Sequence, residues 1–272
     1  MKTFPFSLLG AGALAGLALP LANLFSPELT TPTLLPTAPA RVPVVVELFT
    51  SEGCSSCPAA DAALRELVAT QPIAGVEVVA LGQHVDYWNR LGWKDPFSSA
   101  QFTERQRQYA ARFGTGSYTP QAVVNGQTEL VGSQRQKLTA AVAQAARAPR
   151  ATVSLVRSGA AAVRVQVAGL PAGTQPSQVL LTLTETGLSS QVGRGENAGR
   201  LLRHAPVVRA LRVLGTTDAA GTFAATTPLH LTAQWQPQQL RAVVLVQEVA
   251  SRRIVGVASL PLRTGGNVAV QP

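Results

Sequence analysis

The chain has 272 residues, 46% of them hydrophobic and 14% charged, which excludes a disordered protein, and it has no glycine period of the fibrous kind. Its net charge of +9 comes from 23 Lys+Arg against 14 Asp+Glu. No recognition-helix, RNP or zinc-finger pattern accompanies that excess, so no specific nucleic-acid partner is expected. Two cysteines are too few for a disulfide-stapled scaffold.

Lys2 precedes an uninterrupted run of Leu, Ala and Gly from Leu8 to Leu19. A basic start and a short apolar stretch read as an export signal over residues 1–25, which places the mature protein in the periplasm or outside the cell. The alternative is a retained N-terminal anchor, and an uncleaved signal is the one membrane attachment expected. Residues 26–41, with Pro27, Pro32, Pro36 and Pro39, read as an extended linker.

Residues 42–149 alternate strand and helix patterns. Val44 to Phe49 is a nearly continuous apolar run, as expected of a strand covered on both faces. Ala60, Leu64, Leu67 and Val68 then mark a helix face, and Val76 to Leu81 a second strand. A helix between two neighbouring strands makes them parallel. Phe102, Tyr109 and Phe113 predict a helix stopped at Gly114, and Asn125-Gly126 predicts a tight hairpin turn. Ser133 and Gln136 form a capping box for a last helix over Leu138, Val142 and Ala145. From residue 150 to 272 the period changes to two, as in Val163/Val165/Val167 and Val179/Leu181/Leu183, and predicts a sandwich-like all-β domain.

The chemistry concentrates at Cys54-Ser55-Ser56-Cys57, directly after a strand and at the start of a helix. Unpaired N–H groups and the positive end of the helix dipole stabilise a thiolate there. Cys54 then attacks a substrate disulfide and Cys57 resolves the mixed disulfide, with protein thiols or disulfides as partners and no resident cofactor. Pro58 fits the first helical turn. Three alternatives stay open: a static disulfide, half of a zinc site that lacks its second cysteine pair, and a copper site of Cys54, Cys57 and His84.

His84 follows the second strand as Cys54 follows the first, so both belong to one rim of the sheet. Asp86 is placed to orient His84, and Trp88 and Trp93 give an apolar wall. The glycine-rich segment Gly193 to Gly199 lacks the Lys-Ser/Thr and the strand–helix context of a phosphate loop, and reads as a mobile or binding loop. Arg194, Arg200, Arg203, Arg209 and Arg212 with His204 form a basic cluster, either a dock for an acidic partner or a solvated face. His230 is expected to face outward on a strand.

Strand, Cys-x-x-Cys helix, strand, helix, a hairpin entered through Thr119-Pro120 and a final helix together resemble the thioredoxin fold. The resemblance implies a cis Pro120 facing the cysteines and shaping the substrate groove beside Thr119. It also implies a buried acid, Glu47, with a raised pKa that takes the proton of Cys57; a solvated, edge-facing Glu47 is the alternative. Glu47 to Pro58, His84 to Trp88, Leu91 to Phe97 and Thr119 to Gln121 further resemble an uncharacterised family of secreted bacterial thioredoxin-like proteins, still labelled a domain of unknown function. Gly53 stands where thioredoxins carry an aromatic and Ser55-Ser56 where they carry Gly-Pro, which leaves the direction of electron flow open. The expectation is therefore an α/β thioredoxin-like domain at 42–149 followed by an all-β sandwich-like domain at 150–272. Its function would be thiol–disulfide exchange through Cys54, Cys57, Glu47 and Pro120, with His84, Asp86, Trp88 and Thr119 binding substrate. The alternative is a non-enzymatic copper-binding or adaptor module with a structural disulfide.

Overall fold

The computed structural model describes residues 41–263 except Ala160; the expected export signal and nearly all of the linker lie outside the described residues. No helix among the described residues is long and apolar enough to cross a membrane.

The strand β1 (Val42–Thr50) leads through α1 (Cys57–Thr70) to β2 (Val76–His84), and the two strands are parallel in register from Val42↔Val76 to Thr50↔His84. After α2 (Ala100–Phe113) the hairpin of β3 (Gln121–Val124) and β4 (Thr128–Val131) adds antiparallel to the other edge of β1. Its turn residues Asn125 and Gly126 have φ of 45° and 67°, the left-handed pair a two-residue hairpin requires. Helix α3 (Arg135–Ala145) follows, but Gln134, not Ser133, occupies its N-cap, without a side-chain bond. The turn is set instead by the backbone, Gly132 N–H donating to Pro120 O and Gln134 N–H to Val131 O.

The second half of the chain supplies β5 (Thr152–Arg157), β6 (Ala162–Ala168), β7 (Ser177–Glu185), β8 (Ser189–Gln191), β9 (Leu201–Arg203), β10 (Val207–Thr216), β11 (Phe223–Pro228), β12 (Leu240–Glu248) and β13 (Ile254–Pro261). These do not all form a separate sandwich. One eight-stranded sheet runs β13-β12-β7-β10-β2-β1-β3-β4, and only β5, β6 and β11 make a second sheet of three strands, with β8 and β9 a short ribbon. The boundary expected at 149/150 thus falls inside one compact unit. The reason is the free edge of β2, which would expose a row of unpaired N–H and C=O groups; β10 meets it at Val207↔Gly82.

Packing follows from the two-residue period. Val44, Val46 and Leu48 face α1 and α3 through Ala60, Leu64, Leu67, Leu138 and Val142. Their neighbours on the other face, Val45, Val79 and Leu81, join Phe102 of α2 and Leu180, Val208, Val243, Leu245 and Ile254 in one cluster. The sheet curls far enough for Arg241 of β12 to reach Glu77 of β2 at 2.8 Å, and for Ile254 N–H to donate to Asn125 O at 2.9 Å. The three-stranded sheet covers β7 and β12 from the remaining side through Val163, Val165 and Val167.

Candidate functional site

Both cysteines lie where β1 ends. Cys57 is the first residue of α1 and Cys54 is bridged to it in a disulfide. Pro58 sits in the first turn, where a missing N–H costs nothing. The Ser56 hydroxyl is 3.4 Å from Cys54 Sγ. The Thr119–Pro120 peptide bond is cis, and the β1–β3 register, Phe49↔Gln121, puts Pro120 beside the end of β1. Thr119 Oγ1 accepts from Trp88 Nε1 at 2.9 Å. Trp88 in turn stands over Gly53, its Cβ 3.1 Å from where a side chain at 53 would begin.

The bridge is not open to solvent. Cys54 and Cys57 are each 1% exposed, while Ser55 and Ser56 are exposed. The loop between β8 and β9 closes over them. Asn197, fully buried, donates from Nδ2 to both Glu52 O and Cys54 O at 2.9 Å. Glu196 accepts the Ser55 N–H at 2.9 Å, and the Ser55 hydroxyl together with that N–H holds its carboxyl below the ordinary range. Gly193 and Gly195 lie against Trp93. The glycine-rich segment is thus a cover for the cysteine loop.

Behind the cysteines lies a buried cluster of acids and imidazoles. His84 is on the cysteine rim, opposite Thr50, but its orienting acid is Asp95, not Asp86. His84 Nδ1 and Asp95 Oδ2 are 2.7 Å apart, and Asp95 also accepts the Glu52 N–H at 2.9 Å. Asp86 instead accepts from the Thr103 hydroxyl at the start of α2. Burial pulls the His84 pKa down, but the Asp95 carboxylate outweighs it and holds the ring above its ordinary value; burial likewise raises Asp95, and His84 brings it below. Glu52 accepts from Trp93 Nε1 at 2.7 Å, and its Oε1 lies 2.9 Å from His204 Nε2. Asp61, one turn after Cys57, accepts from the Thr50 hydroxyl at 2.8 Å and from Ala205 N–H at 3.0 Å.

Glu47 departs from its expected role. Its side chain shares a face with Val45 and Phe49, away from α1, and Arg105 of α2 binds both its oxygens at 2.5 and 2.9 Å. Gln83 and Tyr109 donate to it as well. Arg105 reaches on to Gln247 of β12 at 2.9 Å, so Glu47 ties the two halves of the curled sheet together and has no oxygen free for Cys57. Burial disfavours the Arg105 charge, but Glu47 overrides it and keeps the guanidinium ionised; burial also pushes Tyr109 well up.

The copper set is not assembled either. Both sulfurs are in the disulfide, and among the described residues His84 groups with Asp61 and His204. The basic cluster divides, with Arg194, Arg200 and Arg203 exposed. His204 is buried in the site, Arg209 lies over Phe97 and Trp235 near Glu185, Arg200 binds Asn197, and Arg212 binds Thr227 and Pro228. His230 is exposed as expected, but it lies beyond the end of β11 rather than on a strand. Sequence reasoning missed Glu52, Asp61, Asp95, Asn197 and His204 as site residues. Only Asp61 carried a local signal, being four residues beyond Cys57 on the same helix face.

A family model described as "Protein of unknown function (DUF1223)" matches residues 45–247. The chain belongs to the DUF1223 family. That match crosses residue 150 without a break, as the sheet does. A crystal structure of an Agrobacterium tumefaciens protein is 30% identical, with a TM-score of 0.68, covering 84% of this DUF1223 chain and 98% of that one. A domain of the outer membrane lipoprotein Omp28 from Porphyromonas gingivalis is 11% identical with a TM-score of 0.28, covering 42% and 86%, a likeness that carries no argument. No curated protein matches the chain.

Proposed function

We propose that this DUF1223 protein is an exported thioredoxin-like thiol–disulfide exchange protein whose redox pair is Cys54 and Cys57. The carrying observation is a cysteine pair bridged at the N-terminus of a 14-residue helix and covered by a loop rather than by core. A bridge of sequence separation 3 closes so short a loop that it adds little stability, which speaks against a purely structural purpose. The parallel β1–α1–β2 unit, the following hairpin and Pro120 beside the end of β1 support the thioredoxin-like reading. The apolar run at residues 8–19 supports export to a compartment where disulfides persist.

In exchange, the Cys54 thiolate attacks one sulfur of a substrate disulfide and expels a substrate thiolate. Cys57, deprotonated, attacks Cys54 Sγ, expels the second substrate thiolate and restores the bridge; the substrate gains two electrons and the pair loses two. The dipole of α1 and the Ser56 hydroxyl favour the Cys54 thiolate. Cys57 shares a small cavity with Glu52, Asp61 and His204, and Glu52 takes the proton-accepting place expected of Glu47. Reverse flow uses the same steps.

Burial of both cysteines favours a second reading, a structural disulfide in an adaptor. Equilibration against glutathione buffers separates the two. A potential between roughly −120 and −270 mV supports exchange, and one below about −300 mV places the bridge among inert structural disulfides. Cys57→Ser is expected to accumulate a mixed disulfide through Cys54, and Cys54→Ser to accumulate none.

A further inference from the structure

We propose that His84, His204 and Asp61 hold a divalent first-row transition-metal ion of the zinc class, in the buried space beside Cys57. The three side chains come from β2, the segment after β9, and α1, and each offers a donor atom within 4.8 Å of the other two. From that spacing small side-chain adjustments bring all three onto one ion at Zn–N and Zn–O distances of about 2.0–2.2 Å. Thr50, Glu52, Cys57, Asp61, Arg203 and His204 are among the residues that border a cavity of about 10 Å³ there, the room of a single small occupant.

Two independent features point to a cation. The first is unused polar capacity. His84 Nε2, His204 Nε2 and Glu52 Oε1 are buried and lack a hydrogen-bond partner; His204 and Glu52 approach to 2.9 Å without the angle of a hydrogen bond. Leaving such groups unmatched costs about 1–3 kcal/mol each, a cost that coordination removes. His84 gives its Nδ1 to Asp95 at 2.7 Å, which orients the ring and frees the Nε2 lone pair, the outer hydrogen bond typical of metal-bound imidazole. Asp61 is fixed in the same way by Thr50 and Ala205, and each of its oxygens keeps a lone pair.

The second feature is charge. Glu52, Asp61 and Asp95 are 1%, 4% and 1% exposed, and among the described residues the ion-pair partners of Glu52 and Asp95 are the imidazoles of His204 and His84. Three carboxylates against at most two imidazolium charges leave an excess of negative charge out of water, which is expensive. A dication offsets most of it. Two nitrogens and one carboxylate oxygen, with Glu52 at the rim, suit zinc-class ions over magnesium or calcium, which take oxygen shells. The set contains no sulfur, so it is distinct from a thiolate copper site and does not depend on the redox state of the bridge.

The test is titration of the full chain, disulfide intact and freed of metal by chelator, with Zn²⁺ by calorimetry and with Co²⁺ by absorption. One ion per chain is expected, with a cobalt spectrum free of thiolate charge transfer. His84→Ala and His204→Ala are each expected to abolish stoichiometric binding. Asp95→Asn, nearly isosteric, is expected to weaken it roughly 10–100-fold, and it keeps the proposal testable where an alanine variant unfolds. A Cys54→Ser/Cys57→Ser double variant is expected to bind as the parent does. Absence of stoichiometric binding by the parent, binding unaffected by Asp95→Asn, or binding lost with the cysteines overturns the proposal, and none of these results bears on the reduction potential.

Discussion

If exchange at Cys54 requires the β8–β9 loop to lift, then weakening the loop's hold must speed the reaction in both directions. Asn197→Ala is the sharpest perturbation, because this one buried amide spans the Glu52 and Cys54 carbonyls at 2.9 Å each. Two neutral hydrogen bonds contribute about 1–3 kcal/mol net. At 1.4 kcal/mol per decade the open population rises roughly 5–150-fold. Glu196→Ala removes one exposed bond to Ser55 N–H and should act in the same sense but more weakly. The assay is the second-order rate of reduction by dithiothreitol, read by quenched alkylation and mass, paired with reoxidation by glutathione disulfide. A gate accelerates both rates and leaves the redox equilibrium near its parent value, whereas a change in bridge stability moves the two rates apart. Reduction of Asn197→Ala at the parent rate, with its circular dichroism unchanged, would refute the gating argument.

Glu47→Gln strands the buried Arg105 guanidinium, so it should cost roughly 3–5 kcal/mol in denaturant unfolding while the reduction potential stays put; a shifted potential with stability intact would return Glu47 to the proton path. Gly126→Ala places a Cβ 1.9 Å from Arg252 O at a φ of 67°. The left-handed backbone alone costs about 1–2 kcal/mol, and the clash adds to it, so urea unfolding should show a clear loss, and a midpoint equal to the parent's would contradict the packing of this turn under β13.

Much of this arrangement was written in local pattern. Periodicity identifies β1, α1, β2 and the Asn125-Gly126 turn because each is fixed by neighbours a few residues away, and the parallel pairing follows from the intervening helix. What local pattern does not carry is pairing between distant segments. Alternation in Val179/Leu181/Leu183 reports a strand with one apolar face, but not that the sheet it enters already contains β1 and β2. The same blindness assigned His204 to a basic surface cluster, since five arginines, Arg194, Arg200, Arg203, Arg209 and Arg212, lie within ten residues of it. Its burial comes from Glu52, 152 positions earlier, and from His84. Asp95 was passed over for Asp86 because proximity in sequence to His84 favoured the latter, whereas the irregular chain after β2 turns Asp95 back under the ring. Glu47 was read correctly as buried and wrongly as free, because Arg105, its partner, looks like a surface residue of an amphipathic helix until β12 closes over it.

The long-range pairing has a consequence for residues 42–149 taken alone. Cut from the rest, this segment would lose the cover of Val45, Val79, Leu81 and Phe102 supplied by β7, β10 and β12. Each such side chain contributes about 1.5–3 kcal/mol when fully buried, so the four together forfeit roughly 6–12 kcal/mol, as much as the whole stability of an ordinary domain. The cut would also remove Gln247 from the Arg105–Glu47 pair, Asn197 from the cysteine loop and His204 from the acid cluster. Thioredoxin-like or not, residues 42–149 should therefore fail to fold cooperatively when expressed alone, in contrast to a chain spanning residues 41–263. Thermal unfolding followed by near-ultraviolet circular dichroism decides it, because Trp88, Trp93 and Tyr109 all belong to the segment and report fixed packing directly. A sharp transition in the isolated segment would mean that the β2 edge and the Val45 face are satisfied without the second half, and that the eight-stranded sheet joins two autonomous domains.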